Sequence, residues 1–497
     1  MIQVVDLTHD ITTIRCDELI IPIYQGETSS DTMKELDRCL AGGISQLITD
    51  QEITGDYKQV VIVHTLGKAA AKKLVFVGLG SKEAGSFVRV RDAFARAVKS
   101  LTAKGEAKHV AVLLSETGEV SVDRFAQAIT EAFYLASYTY EGYREKPKTS
   151  KVLASVQLLA TPAQKEAAGT GATKGIALSS GTVLARDLVN TPGNYLTPTA
   201  LKNAIVEVAE RYGMSYEVFE KAQLQGMGMG GVLSVAQGSV EPPYVVAVKY
   251  QGKDAWEDVI GLIGKGVTFD TGGISIKPVA GMEEMKSDMG GAAATLGALE
   301  AIGQLKPKAN VLLVIGCVEN MPSGSAYKPG DVITTMSGKT VEIITTDAEG
   351  RLVLADCITY AKEQGVSCLV DCATLTGGVV VALGTISSGA MSNNQEMADE
   401  VLAQAKQAGE RLWQLPTFEE YRELNKSRVA DLKNSGGRQG HAIIAGVFLE
   451  TFVGDTPWVH LDNAGTAYIG SGTDLNPAGA TGAMSRTIAE FVLHRGK

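Results

Sequence analysis

Short β-branched runs alternate with stretches of helical periodicity through most of this sequence, and that alternation limits the fold more than any other feature. Gln59–Thr65 and Lys73–Gly78 have the composition of strands, as does the run that begins at His109. Between the last two, Phe87–Thr102 repeats its apolar residues with a period of about 3.6. Strand, helix and strand in that order build parallel pairs, because the helix carries the chain back to start the next strand in the same direction. The rhythm resumes from Ala185. Strands are expected at Tyr244–Tyr250, Val259–Gly264, Asn310–Val318 and Ser367–Cys372, with helices at Met289–Leu305 and Gly350–Gln364. The fold class is therefore α/β, with mainly parallel or mixed sheets flanked by helices.

A chain of 497 residues exceeds what one core supports, since single cores stop growing at roughly 250–300 residues. Two domains are expected: an N-terminal α/β domain over 1–160 and a larger α/β domain over 185–497. Residues 161–184 are the expected connector, because TPAQKEAAGTGATKG is rich in Ala, Gly, Thr and Lys and loses the strand rhythm. No cluster of catalytic residue types falls in the first domain.

The longest apolar runs, such as Val311–Val318 and Val379–Leu383, are far shorter than the roughly 18 residues that span a bilayer. They read as buried strands, and no membrane is expected as a partner. Asp6, Asp10 and Asp17 stand where an export signal would carry basic and then apolar residues, so export is not expected. Six cysteines without paired spacing suit reduced thiols in the cytoplasm. The net charge of −10 disfavours attraction to nucleic acid.

Three segments carry chemistry. In GKGVTFDTGGISIKP, the strand Val259–Gly264 is expected to run into a glycine-rich turn bearing Lys265, Asp270 and Lys277, and catalytic groups gather at the carboxyl ends of parallel strands. In MKSDMGGAAATLGALEAI, Asp288 stands just ahead of a helix whose first turn holds only Gly and Ala. Asp288 could be a helix N-cap there, although such small residues imply a close neighbour. In TTDAEGRLVLADCITYA, Asp347, Glu349 and Arg351 are spaced two apart, and an extended segment would send all three to one side. Taken singly, each carboxylate is more often a cap or a solvated group, and Arg351 an ordinary salt-bridge partner. Together, four carboxylates with no histidine nearby make an oxygen-rich set that divalent cations would hold ionised.

These segments, with ARDLVNTPGNYLTP, VENMPSGSAYKPGDVITTMSGKTVE, DCATLTGG and HLDNAGTAY, resemble the leucyl aminopeptidase family, also called cytosol aminopeptidases. The resemblance covers most of 185–497, which it makes the catalytic metallopeptidase domain. It implies a hydrolase that releases N-terminal residues, preferably Leu-like, from peptides. Lys265, Asp270, Asp288, Asp347 and Glu349 would ligate two divalent ions, Mn or Zn, with Asp270 and Glu349 bridging. Lys277 and Arg351 would be the catalytic pair, the latter holding a bicarbonate. Met285, Thr374, Gly377 and Ala464 would lie near the substrate's first side chain, and the subunits would form a homohexamer. Thr345 and Gly378 depart from the family pattern, where Asn and Ala are commoner.

Other readings have sequence support. A two-metal phosphatase or nuclease could use the same ligand set, and some family members also bind DNA as accessory proteins. QGMGMGG imitates a dinucleotide fingerprint at Gly226, Gly228 and Gly231, but no acidic residue ends a following strand at the right distance. A turn is the better reading. The six histidines form no ligand-spaced cluster, and His460 is expected to be a buried polar residue near the site.

Overall fold

In the segment ELIIPIY, residues 18–24, hydrophobicity does not alternate and every residue is buried, the pattern of a strand covered on both faces. In the computed structural model, which describes residues 2–7, 10–26, 30–102, 108–114, 120–145 and 153–497, this strand lies inside a six-stranded sheet. The strands are β1 (Ile2–Asp6), β2 (Glu18–Tyr24), β3 (Val60–His64), β4 (Lys73–Gly80), β5 (Lys108–Leu113) and β6 (Leu153–Ala160), in the order β1-β6-β5-β2-β4-β3. Every pairing is parallel except that of β3 with β4. Helices Phe87–Thr102 and Val122–Ala136 pack together, with Phe94 edge-on to Phe125 at 6.1 Å between centroids. Glu18 tolerates burial because Lys108 Nζ reaches its Oε1 at 2.8 Å.

The chain divides into two compact units, Met1–Ser179 with Gly472–Pro477 and Ser180–Ser471 with Ala478–Lys497. The division falls inside a helix, Lys165–Asn190. Most of the expected connector, 161–184, is thus helical. Its Gly, Ala and Thr positions give weak amphipathic contrast, so the helical period does not stand out in the sequence.

The second unit holds β7 (Ser215–Glu220), β8 (Tyr244–Gln251), β9 (Ile260–Asp270), β10 (Asn310–Asn320), β11 (Val332–Thr334) and β12 (Thr340–Glu342). It continues with β13 (Cys368–Ala373), β14 (Ser388–Ser392), β15 (Leu412–Gln414), β16 (Leu432–Lys433) and β17 (Trp458–Asp462). Eight of these form a mixed sheet in the order β15-β14-β17-β13-β9-β10-β8-β7, and β11, β12 and β16 form a small separate one. The four central strands β17, β13, β9 and β10 are mutually parallel. They read as continuous apolar runs because helices cover both faces. Among the described residues, no helix is long and apolar enough to cross a membrane.

Three sequence expectations change. Val379–Leu383, read as a buried strand, lies in the helix Gly377–Leu383, where Val381 is exposed; a short apolar run does not by itself distinguish strand from helix. The strand expected to stop at Gly264 continues to Asp270, paired along β10 from Val311↔Ile260 to Asn320↔Asp270. Lys265 is therefore a strand residue, not a turn residue. QGMGMGG spans the end of one short helix, Lys221–Gly226, and the start of another, Gly230–Ala236. Of the glycines that imitate the fingerprint, Gly228 takes a φ of +70° and a Cβ on Gly231 would stand 2.3 Å from Leu352 O, so backbone conformation and close packing account for these two without a nucleotide.

Candidate active site

The parallel strands end together, and the side chains of interest collect at those ends. Lys265 lies within β9 between Gly264 and Gly266, and Asp270 ends the strand. A Cβ on Gly264 would come within 2.7 Å of Ala292 Cα, so glycine there lets the helix Gly290–Leu305 approach the sheet. That helix begins right after Asp288. Asp288 is not its N-cap; Met289 holds that position. The Asp288 carboxylate instead faces Lys265 and Thr374, whose Oγ1 donates to Asp288 Oδ1 at 3.0 Å. The small residues of the helix's first turn answer a close neighbour, since a Cβ on Gly291 would stand 2.0 Å from Cys372 O in β13.

Two ammonium groups knit four carboxylates together. Lys265 Nζ, buried, lies 2.8 Å from Asp288 Oδ2 and 2.8 Å from Glu349 Oε1, and donates to Thr374 O at 2.9 Å. Lys277 Nζ lies 2.7 Å from Asp270 Oδ2 and 2.5 Å from Asp347 Oδ1. Gly272 and Gly273, at φ +84° and +65°, turn the chain back after Asp270 as only glycine does readily. That turn lets Gly272 N and Asn320 Nδ2 donate to Asp270 Oδ1 at 2.9 and 2.7 Å. Asp270, Asp347 and Glu349 each offer an oxygen within 4.8 Å of the other two.

Asp347, Glu349 and Arg351 do not alternate along an extended segment. Asp347 sits in a turn and Glu349 caps the helix Gly350–Glu363, so Arg351 is already helical. Asp347 is exposed while Glu349 and Arg351 are buried. Arg351 Nη1 donates to Asn434 O at 2.6 Å, its guanidinium lies 5.9 Å from the Phe448 ring centroid, and its Nε has no hydrogen-bond partner among the described residues.

Burial and repulsion from Glu349 push the Asp270 carboxyl up to about 6, against the pull of Lys277 and Lys265. Burial also raises Asp288 well above the carboxylate range. Burial alone would raise Glu349 too, but Lys265 and Lys277 bring it down to about 2. Burial opposes the Lys265 charge, yet the carboxylates of Asp288, Glu349 and Asp270 outweigh it and lift its pKa above the usual lysine value. Burial lowers Arg351 to about 10, which leaves it charged at neutral pH. Four acids against two ammonium groups leave the cluster short of positive charge. Room for further cations, with hard oxygen donors to meet them, fits divalent metal ions.

The cluster opens into a cavity of about 390 Å³ lined by Lys265, Asp270, Lys277, Asp288, Asp347 and Glu349. Met285, Thr374, Gly377 and Ala464 line the same cavity. Sequence reasoning missed His441, also in the lining. It occupies space that a side chain at position 378 would need: a Cβ on Gly378 would stand 3.0 Å from His441 Cβ and 2.9 Å from Ala442 N. Glycine at 378 thus makes room for the start of the helix His441–Val453. His460 is buried in β17 and pairs across to β13, its Nδ1 2.5 Å from Asp371 Oδ1.

Residues 183–489 match the family model described as cytosol aminopeptidase family, catalytic domain, and residues 20–147 match that family's N-terminal domain. The chain belongs to the cytosol aminopeptidase family. Membership makes it an aminopeptidase, a hydrolase of the peptide N-terminus. Among solved structures it is similar to the bottromycin maturation enzyme BotP in complex with Mn, at 34% identity and a TM-score of 0.85, over 97% of this chain and 100% of that one. It is also similar to a mutant of tomato leucine aminopeptidase, at 32% identity and a TM-score of 0.87, over 99% of this chain and 96% of that one.

Proposed function

We propose that this chain is a two-metal aminopeptidase that removes Leu-like residues from peptide N-termini. Lys265, Asp270, Asp288, Asp347 and Glu349 would hold the two ions, Mn or Zn. The observation that carries the proposal is the convergence of Asp270, Asp347 and Glu349 oxygens to within 4.8 Å, with the Lys265 amine 2.8 Å from Glu349 and Asp288. Mn in the similar BotP structure supports it.

Bound ions would supply Lewis acidity toward the scissile carbonyl and make a water nucleophilic at neutral pH. The protein supplies the rest. Lys265 serves as a ligand only as the neutral amine, and a dication among the carboxylates favours loss of its proton. Lys277 stays an ammonium at the cavity wall and donates to the oxyanion that develops as the carbonyl is attacked. Arg351 does not act as a base, because a guanidinium keeps its proton; it would hold a bicarbonate, which would supply proton transfer to the leaving amine. The buried Asp288 side of the cavity would take a free α-amino group, which would select for exopeptidase cleavage.

Met285 and Ala464 give the side-chain pocket an apolar surface beside Thr374 and Gly377. Such a pocket distinguishes substrates by roughly 1–3 kcal/mol per methylene, so broad specificity around Leu is expected. A cytoplasmic location suits six cysteines that are all unpaired, and assembly as a homohexamer, which the family resemblance implies, is checked by light scattering on a sizing column.

The function test is hydrolysis of Leu-p-nitroanilide beside p-nitrophenyl phosphate, after chelation and after return of Mn or Zn. Metal-restored release of p-nitroaniline alone is expected. Phosphate ester cleavage at a comparable rate would replace the peptidase reading with the phosphatase one.

A further inference from the structure

We propose that Asn434 is a positioning residue that fixes the Asp347 turn and Arg351 relative to each other; this rests on the metal-site reading above. Asn434 follows β16, which pairs with β12 in parallel, and its backbone N–H donates to Glu342 O at 3.0 Å. It is fully buried. From that position its side-chain amide binds the turn in both senses. Oδ1 accepts from Ile344 N at 2.8 Å, and Nδ2 donates to Thr345 O at 2.7 Å and, at longer range, to Ala348 O at 3.4 Å. Its own carbonyl accepts from Arg351 Nη1 at 2.6 Å.

Ile344 and Ala348 bracket Asp347, so one side chain grips the turn on both sides of this carboxylate. The bonds reach across some ninety positions of sequence: 90 to Ile344 and 83 to Arg351. Only an amide offers an acceptor and two donors from one rigid plane; a carboxylate of the same shape lacks the donors and a hydroxyl lacks the reach. Asn434 does not line the cavity. It therefore acts through the groups it holds, by setting where Asp347, Glu349 and the Arg351 guanidinium stand. Groups behind metal ligands typically govern roughly 10–100-fold in metal affinity or activity.

The test compares Asn434→Ala, Asn434→Ser and Asn425→Ala in the full chain, with Leu-p-nitroanilide and titrated Mn²⁺. Asn425 is a matched control, since it is buried and donates from Nδ2 to Ile444 O at 3.0 Å without touching the turn. The expected result is a kcat lowered by about 10–100-fold in Asn434→Ala with KM changed less than about threefold, and Mn²⁺ binding weakened by about 10–100-fold in isothermal titration calorimetry without substrate. Asn425→Ala, matched for loss of melting temperature, should keep its kcat. Asn434→Ser keeps a neutral donor and acceptor and buries no charge, so it should fold even if the alanine variant does not, with a kcat loss of the same kind. Wild-type kcat in the Asn434 variant that folds, or an equal loss in Asn425→Ala, overturns the assignment. Asp347→Asn is assayed in parallel: if it stays active the metal-site reading itself fails, whereas if it is inactive and Asn434→Ala is not, only the role of Asn434 fails.

Discussion

Replacing Gly350 with alanine should separate activity from stability. Gly350 opens the helix Gly350–Glu363, and a Cβ built on it would stand 2.5 Å from Lys265 Cε, 2.7 Å from Cδ and 2.7 Å from Nζ. Ordinary contacts between such atoms are roughly 3.5–4.0 Å, so Lys265 must withdraw by about 1 Å. Its Nζ now lies 2.8 Å from Asp288 and Glu349 and 2.9 Å from Thr374 O. A 1 Å shift in the wrong direction breaks at least one of these and moves the amine off the ligand position. Crowding of this kind costs about 1–3 kcal/mol, offset by up to about 1 kcal/mol because alanine favours the helix. The net loss of stability is thus at most about 3 kcal/mol, while a misplacement of about 1 Å at a reacting centre lowers turnover by about 100-fold. The assay is kcat for Leu-p-nitroanilide at saturating Mn²⁺, with a thermal melt of the same sample. A Gly350→Ala protein that works within threefold of wild type would show that the Lys265 amine has no fixed place in the reaction.

Asp347→Asn and Glu349→Gln should both abolish turnover, but with different stability. Asp347 is exposed and its loss should cost less than about 1 kcal/mol, whereas Glu349 is the buried partner of Lys265 and its loss should cost on the order of 3 kcal/mol; urea denaturation distinguishes the two, and an active Asp347→Asn refutes the ligand set. His460 supplies a pH dependence. Burial opposes its charge, but Asp371 outweighs burial and raises its pKa above the usual histidine value. A folded-state pKa above the unfolded value of about 6.5 means that the pair's stabilisation is complete below that pH and is lost as pH rises through the folded value. His460→Gln should therefore cost more stability at pH 6 than at pH 9, and equal losses at the two would mean that the imidazole does not change charge between them.

The fold class and the acidic segments were legible because both rest on local pattern. Phe87–Thr102 forms the helix its periodicity predicts, residue for residue. The four carboxylates announce themselves by standing beside glycines and strand ends. What was not legible depends on partners distant in sequence. Nothing local says that β9 continues past Gly264, since its extension is fixed by pairing with β10 as far as Asn320↔Asp270. The spacing of Asp347, Glu349 and Arg351 suggested a strand, but the helix that packs the core begins at Gly350 and Arg351 turns with it. Asn434, Asn320 and His441 are single polar residues without any spacing signal. Their importance appears only when the chain brings Asn434 to the turn, Asn320 to Asp270 and His441 to the cavity.

Catalysis by this protein requires cation binding by the carboxylate cluster. Diffraction from crystals grown with manganese, recorded for anomalous scattering from that metal, tests it most directly. Two peaks per chain are predicted, among the oxygens of Asp270, Asp288, Asp347 and Glu349 and the Lys265 amine. A cluster without anomalous signal, with Lys265 and Lys277 still paired to those carboxylates at saturating manganese, would contradict it.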